Sequence, residues 1–418
     1  MRQSRRLLRI SQLHWPSTFA ALRHRNFRLW FIGQTLSVMG TWAQSVAQGW
    51  TVYQLTGSEL ALGTITFFGT LPTLFLMVPA GALADRLPKR KVVMIAQMAM
   101  LVQAFALAAL AATHVLRVWH VAILAACNGV ANSFDAPARH AMAADMIEDR
   151  RDLANAVALN ATIFNTARVV GPAVGGIILA RFGAAWCFGL NGVSFLAVIL
   201  ALSAMRFPAM QPRAEKESIV EQVKVGMHYI WHDTRIRTLM FLTGVGQLFG
   251  FFHTVLMPAY AVDVLQVGEA GLGNLNAAIG IGALIGSLAV ASWGGTRAKA
   301  LLLTVGAFLF PTAHLLFSGS RSPAFSMLCL ALGGMGFVTQ NTTINTLIQS
   351  SVPDELRGRV VSVYILLFFG SAPFSALMAG ALGQAVGVRG AIAIGSVITL
   401  SNTLYLYLKT PDLRKARM

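Results

Sequence analysis

The chain has 418 residues, of which 56% are hydrophobic and 12% are charged, about half the charged share of an average soluble domain. Lys and Arg outnumber Asp and Glu by 33 to 16, and the mean hydropathy is +0.63. This composition excludes an ordinary cytosolic enzyme, a secreted disulfide-rich domain and a disordered linker, and it indicates a polytopic α-helical membrane protein.

Twelve apolar runs follow one another along the chain, each long enough to cross a bilayer, which takes about 20 residues. We call them spans 1 to 12, and the sequence places them near residues 27–52, 60–83, 92–113, 118–138, 153–180, 184–205, 238–262, 271–294, 300–318, 323–347, 360–386 and 390–408. When successive spans alternate in direction, 28 of the 33 cations lie on one side of the membrane and four on the other. Because cationic loops stay in the cytoplasm, this split predicts that both termini are cytoplasmic. It also predicts contact with anionic membrane lipids and no nucleic-acid partner.

The loop after span 2 reads GALADRLPKRK, and its candidate residues are Gly81, Asp85, Arg86, Lys89 and Arg90. A carboxylate at the membrane boundary is costly unless it is paired, and Asp85 can face cations or the positive N-terminus of a helix. The loop resembles the cytoplasmic signature G-x-x-x-D-R-x-G-R-R of the major facilitator superfamily, with Pro88 in place of the second glycine. The resemblance implies that this loop locks the cytoplasmic gate; the alternative is a charged turn that only ends span 2.

Span 5 contains ARVVGPAVGGII, which resembles the antiporter signature of the superfamily at Gly171, Pro172, Gly175 and Gly176. Glycines let helices approach closely, and a proline can bend a helix because it leaves a backbone carbonyl without its partner. In the superfamily this signature accompanies efflux rather than uptake. A close-packed, kinked helix with no transport role is the alternative.

Arg168 is the one cation that the sequence places deep inside a span, about 15 residues into span 5. An intramembrane arginine needs a partner or water, and the depth of the residues makes Gln44 and Asn128 its expected neighbours. Two roles fit the sequence equally, namely a docking point for an anionic substrate and a gating residue.

Polar side chains form stripes on four otherwise apolar spans, and a polar stripe avoids lipid. The candidate cavity residues are Gln34, Thr41, Gln44 and Gln48 in span 1, Asn128 and Asn132 in span 4, Gln247 in span 7, and Asn341 and Asn345 in span 10. These amides could instead only join helices, at about 1 kcal/mol each. Because spans 1, 4, 7 and 10 line the central cavity in the superfamily, we predict a wet cavity with Arg168 beside it.

The longest polar stretch, residues 206–237, separates six spans from six. Its second part, IVEQVKVGMHYIWHD, has the apolar spacing of an amphipathic surface helix. The segments PARHAMAADMIEDRRDLANAV and INTLIQSSVPDELRGRVVSV echo each other after spans 4 and 10. We therefore predict an N-terminal half at 1–206, a cytoplasmic linker at 207–236 and a C-terminal half at 237–418, the repeated organisation of secondary transporters.

Proton coupling requires a titratable group whose exposure alternates, and the sequence places no carboxylate near the centre of a span. The candidates are Asp135 on the cytoplasmic side, His253 in span 7 and Asp263 near the outer end of that span. A histidine titrates near neutral pH, although a single one is more often a structural residue.

Motifs for catalysis are lacking: no glycine is followed by lysine, and neither H-E-x-x-H nor G-x-S-x-G occurs. The three cysteines lie in apolar runs, and His228 and His232 lack further ligands. The sequence thus predicts no enzyme activity, no cofactor and no metal site.

The opening FRLWFIGQTLSVMGTWAQSVAQGWTVYQLT, with PARHAM, LANAVALN and VPDELRGRV, resembles one bacterial branch of the superfamily, which includes siderophore exporters of the enterobactin-exporter type and macrolide-type efflux proteins. The resemblance implies an all-α fold of twelve transmembrane helices in two pseudo-symmetric six-helix halves, in a bacterial inner membrane and as a monomer. It also implies export of a small organic molecule, a siderophore-type metabolite or an amphipathic drug, by proton antiport and alternating access. A solute importer or facilitator is one alternative, and a transporter-like sensor that moves no solute is another.

Overall fold

The computed structural model describes residues 19–205, 219–293 and 298–410. Across these ranges the chain is helical, and all twelve predicted spans are present as helices. By length and composition, nine described helical stretches, which hold ten of the spans, can cross a membrane. Spans 1 and 4 fall short of that apolar threshold, and they are two of the spans for which the sequence predicts a polar stripe. The chain is therefore a multi-pass membrane protein whose least apolar helices are candidate cavity helices.

The six helices of the N-terminal half are Arg25–Thr56, Glu59–Arg86, Lys89–Ala112, Val118–Ala143, Leu153–Phe182 and Ala184–Ala204. In the C-terminal half, span 7 comprises Thr234–Phe249, Phe252–Ala259 and the π turn Tyr260–Val264, followed by Glu269–Trp293, Lys299–Gly319 and Pro323–Ser351. Span 11 begins as Asp354–Gly370 and continues in Ala372–Lys409, which also holds span 12 after a kink at Gly387. The predicted amphipathic helix is Ile219–His232. Most helices extend a few residues beyond the predicted apolar runs, because their ends carry polar residues.

Local signals set several of the helix ends. Span 1 ends at Gly57, whose left-handed backbone (φ 57°) suits glycine, and the Ser58 hydroxyl caps span 2 by accepting from the Ala61 N–H. Asp233 separates the amphipathic helix from span 7 and accepts from the N–H groups of Arg235 and Ile236. These caps fix where the chain turns back into the bundle.

Prolines affect the spans unequally. Span 5 runs unbroken through Pro172, so the bend that its signature allows does not interrupt the helix. Span 11 is interrupted at Ser371, and Pro373 lies in the first turn of the helix that follows. Span 7 is interrupted at Gly250 and Phe251. The discontinuous helices described are thus in the C-terminal half.

The two ends of the bundle differ in charge, and we name them accordingly. The basic end carries Arg25, Lys89 and Lys299 at the starts of spans 1, 3 and 9; the far end carries Gly57 and Gly183, where spans 1 and 5 end.

The halves meet at the far end through two matching helix crossings. Span 2 crosses span 11 at Gly63 and Gly380, and a Cβ built on Gly380 would lie 2.7 Å from the Glu59 carbonyl oxygen. At the second crossing, where span 8 meets span 5, Gly273 faces Gly176, and a Cβ on Gly176 would lie 2.8 Å from the Glu269 carbonyl oxygen. The sequences EXXXG at 59–63 and 269–273 thus occupy equivalent places, as expected for two related halves.

Candidate substrate cavity and gates

A cavity of about 270 Å³ lies between the halves, on the basic-end side of the helix crossings, and is lined by spans 1, 2, 4, 7 and 8. Its polar lining includes Ser45, Gln48, Asn128, Thr254 and Asn276. Apolar side chains such as Val46, Ile65 and Met257 form much of the remaining wall. An apolar wall with a few polar groups is typical of a site for an amphipathic small molecule.

Arg168 lies beside this cavity, with its guanidinium carbon 5.9 Å from the centre of the Trp42 ring, and Trp42 forms part of the wall. Among the described residues, no side chain forms an ion pair or hydrogen bond with Arg168. A guanidinium offers five N–H donors, so here its donors stay available while its face is held by a cation–π contact. The arrangement can bind an anionic group at the edge of the cavity.

Span 1 divides its predicted stripe between two environments. Gln48 lines the cavity and Thr41 is exposed, whereas Gln34 and Gln44 are buried. The Gln44 amide accepts from Asn191 of span 6 at 2.8 Å and donates to Gln103 of span 3 at 3.3 Å. The Gln44 amide is therefore bonded within the N-terminal half, and no hydrogen bond joins it to Arg168 among the described residues. The polar stripe of span 1 is wide enough that part of it lines the cavity and part of it packs against neighbouring helices.

Span 4 is divided in a similar way. Asn128 lines the cavity and Asn132 is exposed one turn nearer the basic end. Asp135 is buried, accepts from the Gln97 amide at 3.0 Å and pairs with Arg139 at 3.4 Å. Asp135 therefore joins spans 3 and 4 inside one half.

The predicted residues of spans 7 and 10 form a separate cluster outside the cavity lining. Gln247 and Asn341 border a narrow gap between spans 7, 9 and 10. Asn341 donates to the Phe337 carbonyl at 3.1 Å, and the Asn345 amide oxygen accepts from Gln349 at 3.0 Å. The cavity lining therefore contains Gln48 and Asn128, while the candidates of span 10 bond along their own helix and, at Asn341, with the Tyr364 hydroxyl of span 11 at 3.5 Å.

The cations of the signature loop join segments of the N-terminal half. Lys89 pairs with Asp145 at 2.7 Å and donates to the Ala141 carbonyl at 3.1 Å, which ties span 3 to the end of span 4. Arg90 donates to the Ser203 carbonyl at the end of span 6. A Cβ on Gly81 would meet nothing within 4 Å. The side chains of Asp85 and Arg86 lie outside the described part of the molecule.

The antiporter signature packs against two helices at once. A Cβ added to Gly171 would lie 2.6 Å from the Cβ of Trp42, and a Cβ added to Gly175 would lie 2.6 Å from the Cα of Ala43. Trp42 and Ala43 both belong to span 1. Gly176 faces span 8 in the other half. The signature therefore positions Trp42 beneath Arg168 and brings the halves together at the far end.

Two side-chain hydrogen bonds also join the halves at the far end. The Tyr53 hydroxyl donates to the Asp263 carboxylate, and the Ser58 hydroxyl donates to the Gln384 amide oxygen at 2.9 Å. With the glycine crossings, these bonds form what we call the far-end closure. Asp263 is thus an exposed partner of span 1, and His253 is buried against His314 of span 9.

Sequence reasoning overlooked Tyr53, Trp42, Asn276 and His314 at this site. Trp42 follows Thr41 directly in a stripe that was defined only by polar side chains, so an amphipathic aromatic was not included. His314 is a single histidine in an apolar run, and the sequence does not show that it contacts His253 of span 7. Only tertiary packing reveals these neighbours.

The profile of the transmembrane secretion effector family matches residues 16–417. The chain is 29% identical over 385 residues to the multidrug efflux pump Tap of Mycolicibacterium fortuitum, covering 88% of this chain and 92% of that protein. It is 27% identical over 410 residues to the enterobactin exporter EntS of Escherichia coli O1:K1, covering 96% of each. A crystal structure of a bacterial homologue of the lysosomal transporter Spinster has the same fold, with a TM-score of 0.74, 12% identity and coverage of 96% of this chain and 99% of that one. The chain belongs to the transmembrane secretion effector family of the major facilitator superfamily.

Proposed function

We propose that this protein exports an amphipathic small organic anion, exchanging it for protons by alternating access. The observation that carries the proposal is Arg168, a guanidinium without a described carboxylate partner, held over Trp42 at the edge of an apolar, amide-bearing cavity. The relatives of the chain include a multidrug efflux pump and an enterobactin exporter, which supports export of a small molecule.

The basic end is the cytoplasmic end in this proposal, because the positive charge of membrane proteins concentrates in the cytoplasm. The far-end closure then blocks the outer side, and substrate enters from the cytoplasm. Opening the closure, with the halves moving together at the basic end, would expose the cavity to the outside. The division into halves at 1–206 and 237–418, joined by a linker at 207–236, supplies the two bodies that move.

Arg168 anchors the acidic group of the substrate and the apolar wall accepts its body. Of the two roles that the sequence left open, docking is favoured because the guanidinium lies at the cavity and its donors have no described partner. A gating role would require a carboxylate or carbonyl partner in the closed state.

The test uses proteoliposomes that contain the purified full chain and three probes: enterobactin, carboxyfluorescein and the cation ethidium. We expect the two anions to accumulate against their gradient when a pH gradient is imposed, and ethidium to accumulate poorly. Flux that only equalises concentrations would support a facilitator instead. Binding of enterobactin without any flux would support a sensor.

Two variants separate charge from geometry at this site. Arg168→Gln should reduce anion transport at least tenfold, because a buried anion without its counter-charge is strongly disfavoured. Arg168→Lys should retain part of the activity, since it keeps the charge and loses the fork of donors. Arg181→Gln, at the exposed far end of the same helix, is the matched control. Unchanged enterobactin transport by Arg168→Gln would contradict the docking role.

A further inference from the structure

Two histidines stack inside the C-terminal half, away from the cavity wall. His253 of span 7 and His314 of span 9 have ring centres 3.8 Å apart, and the planes are inclined by 36°. Both are almost completely buried, with 3% and 2% of their surfaces exposed. Each sequence position alone fits a structural histidine; together they form a pair of groups that titrate near neutral pH, at membrane depth.

The hydrogen bonds of the pair define where a proton can be added. The His253 Nδ1 lies 3.0 Å from the Gly250 carbonyl oxygen, and the His314 Nδ1 lies 2.7 Å from the Phe310 carbonyl oxygen. A carbonyl only accepts, so both Nδ1 atoms carry hydrogen and both Nε2 atoms present a lone pair. The His314 Nε2 is buried without a hydrogen-bond partner among the described residues. Each ring can therefore take a proton at Nε2 without losing its existing bond.

One side chain connects the pair to the cavity. Thr254 lines the cavity wall, is exposed, and its hydroxyl lies 3.2 Å from the His253 Nε2. A hydroxyl can donate to Nε2 while accepting from water, so it can pass a proton between cavity water and the imidazole. In this relay the Thr254 hydroxyl hydrogen passes to the His253 Nε2, and a proton from cavity water takes its place on the threonine oxygen. The threonine stays neutral and the histidine becomes an imidazolium.

The surroundings of the pair are aromatic and apolar. Phe251 and Phe310 lie 5.8 and 4.9 Å from the nearer histidine ring, measured between ring centres. The titratable and charged groups described on spans 7 and 9 and on the elements packed against them are Arg25, Arg28, Tyr53, Glu59, Glu221, Lys224, His228, Tyr229, His232, Arg235, Arg237, Tyr260, Asp263, Lys299, Cys329, Asp354, Glu355, Arg357, Arg359, Tyr364, Arg389, Tyr405, Tyr407 and Lys409. Arg389 binds the carbonyls of Ser318 and Gly319, one turn beyond His314. No described carboxylate contacts the pair, so a proton there is disfavoured in this state and needs a change in the environment of the rings.

Span 7 supplies a means for that change. His253 follows directly on the interruption at Gly250 and Phe251, and its Nδ1 bonds to the carbonyl exposed there. The next turns lead through Pro258 to the π turn and to Asp263, the residue that closes the far end on Tyr53. Opening of the far end therefore acts on the same short helix that carries His253.

We propose that the His253–His314 pair binds the proton that is exchanged for substrate, with Thr254 as its relay to the cavity. This inference rests on the proposed proton antiport. The pair is neutral when the far end is closed, takes one proton at an Nε2 when the cavity opens to the acidic outside, and returns it on the cytoplasmic side.

Solid-state NMR of the full chain with ¹⁵N-labelled histidine in lipid bilayers tests proton binding without any substrate. His253→Gln and His314→Gln assign the two signals. Between pH 8 and pH 5 we expect the pair to change from neutral, Nδ1-protonated rings to a state with one added proton. Rings that remain neutral down to pH 5 would overturn the inference.

Proteoliposomes test coupling, with enterobactin as the probe and two modes of transport. A pH gradient of one unit should give about tenfold accumulation for each proton exchanged. His253→Gln and His314→Gln should lose that accumulation while enterobactin exchange at equal pH stays within about twofold; His232→Gln, on the exposed amphipathic helix, should match wild type. Retained accumulation in the variants, or equal loss of exchange and accumulation in folded protein, would overturn the role of the pair. If wild type exchanges enterobactin without responding to the gradient, the antiport proposal itself fails, and the inference with it.

Discussion

At the scale of residues, the direction of an amide decides its surroundings more than its position along a span does. Gln44 and Gln48 are one helical turn apart, yet Gln44 joins Asn191 and Gln103 inside one half and Gln48 lines the cavity. Successive side chains of a helix are rotated by about 100° around its axis, so residues four apart point in similar directions. The boundary between the cavity and the helix packing passes between two such residues here. Sequence alone could therefore predict the polar arc but not the part of it that lines the cavity.

The two glutamines provide a matched test of this division. Gln44→Leu leaves the amides of Asn191 and Gln103 without their partner, so we expect a loss of about 1 kcal/mol in stability and unchanged transport affinity. Gln48→Leu should change the KM for enterobactin and leave the unfolding temperature near that of wild type. Thermal unfolding in detergent and transport kinetics of both variants check this. A reversal of the two outcomes would place Gln44, rather than Gln48, at the substrate.

At the scale of elements, the positions of the spans follow from the sequence, and their contacts do not. Apolar runs identified all twelve spans and the amphipathic helix, because length and hydropathy are local properties. The crossings of spans 2 with 11 and 5 with 8 depend on glycines that face each other from distant segments. The repeated EXXXG at 59–63 and 269–273 was the sequence signal for these crossings. Its role is recognisable only in the structure, where each copy lies at an equivalent crossing between the halves.

Gly176 tests the importance of these crossings. In Gly176→Ala the new Cβ would lie 2.8 Å from the Glu269 carbonyl oxygen and 2.9 Å from the Gly273 Cα, so the backbones must separate. Overpacking of this kind costs about 1–3 kcal/mol, and the cost falls on the far-end-closed state. We expect about tenfold slower enterobactin transport, measured in proteoliposomes. Gly246→Ala, where a Cβ meets nothing within 4 Å, is the control that should transport normally.

The short 3-10 turn Ala20–Arg23 is anchored to the start of span 5 by an ion cluster at the basic end. Asp152 accepts from His24 at 2.9 Å and from the Arg23 Nε at 2.7 Å. The His24 hydrogen bond, followed by Arg23, lowers the pKa of the Asp152 carboxyl below its usual value. The anchoring is therefore complete above the ordinary carboxyl pKa and is lost as the pH falls through the lowered one.

Hydrogen exchange of the segment before span 1 measures this anchoring. Protection should be constant between pH 5 and pH 8, after correction for intrinsic exchange rates, because Asp152 stays charged there. Asp152→Asn should raise exchange of residues 19–24 at pH 7, and Glu148→Gln, an exposed neighbour, should not. Protection in wild type that declines between pH 8 and pH 5 would show that another group controls the segment.

At the scale of the whole molecule, the far-end closure is the contact that would set the balance between the two states of the proposed alternating-access cycle. The Tyr53–Asp263 hydrogen bond joins the halves directly, and it lies where the matching helix crossings already hold them. Because Asp263 is exposed, water competes for its carboxylate, and the bond is worth about 1 kcal/mol rather than the larger value of a buried charged pair. That amount shifts a two-state equilibrium about fivefold.

Tyr53→Phe removes the hydroxyl and keeps the ring, so we expect about a fivefold rise in the population open at the far end. Spin labels at Leu60→Cys and Val386→Cys, exposed positions on opposite halves, report the distance by pulsed electron resonance. Cys127→Ser removes the exposed native thiol. Tyr405→Phe, an exposed tyrosine in span 12 near the basic end, should leave the distances unchanged. If Tyr53→Phe also leaves them unchanged, the glycine crossings alone hold the far end, and Asp263 takes no part in opening it.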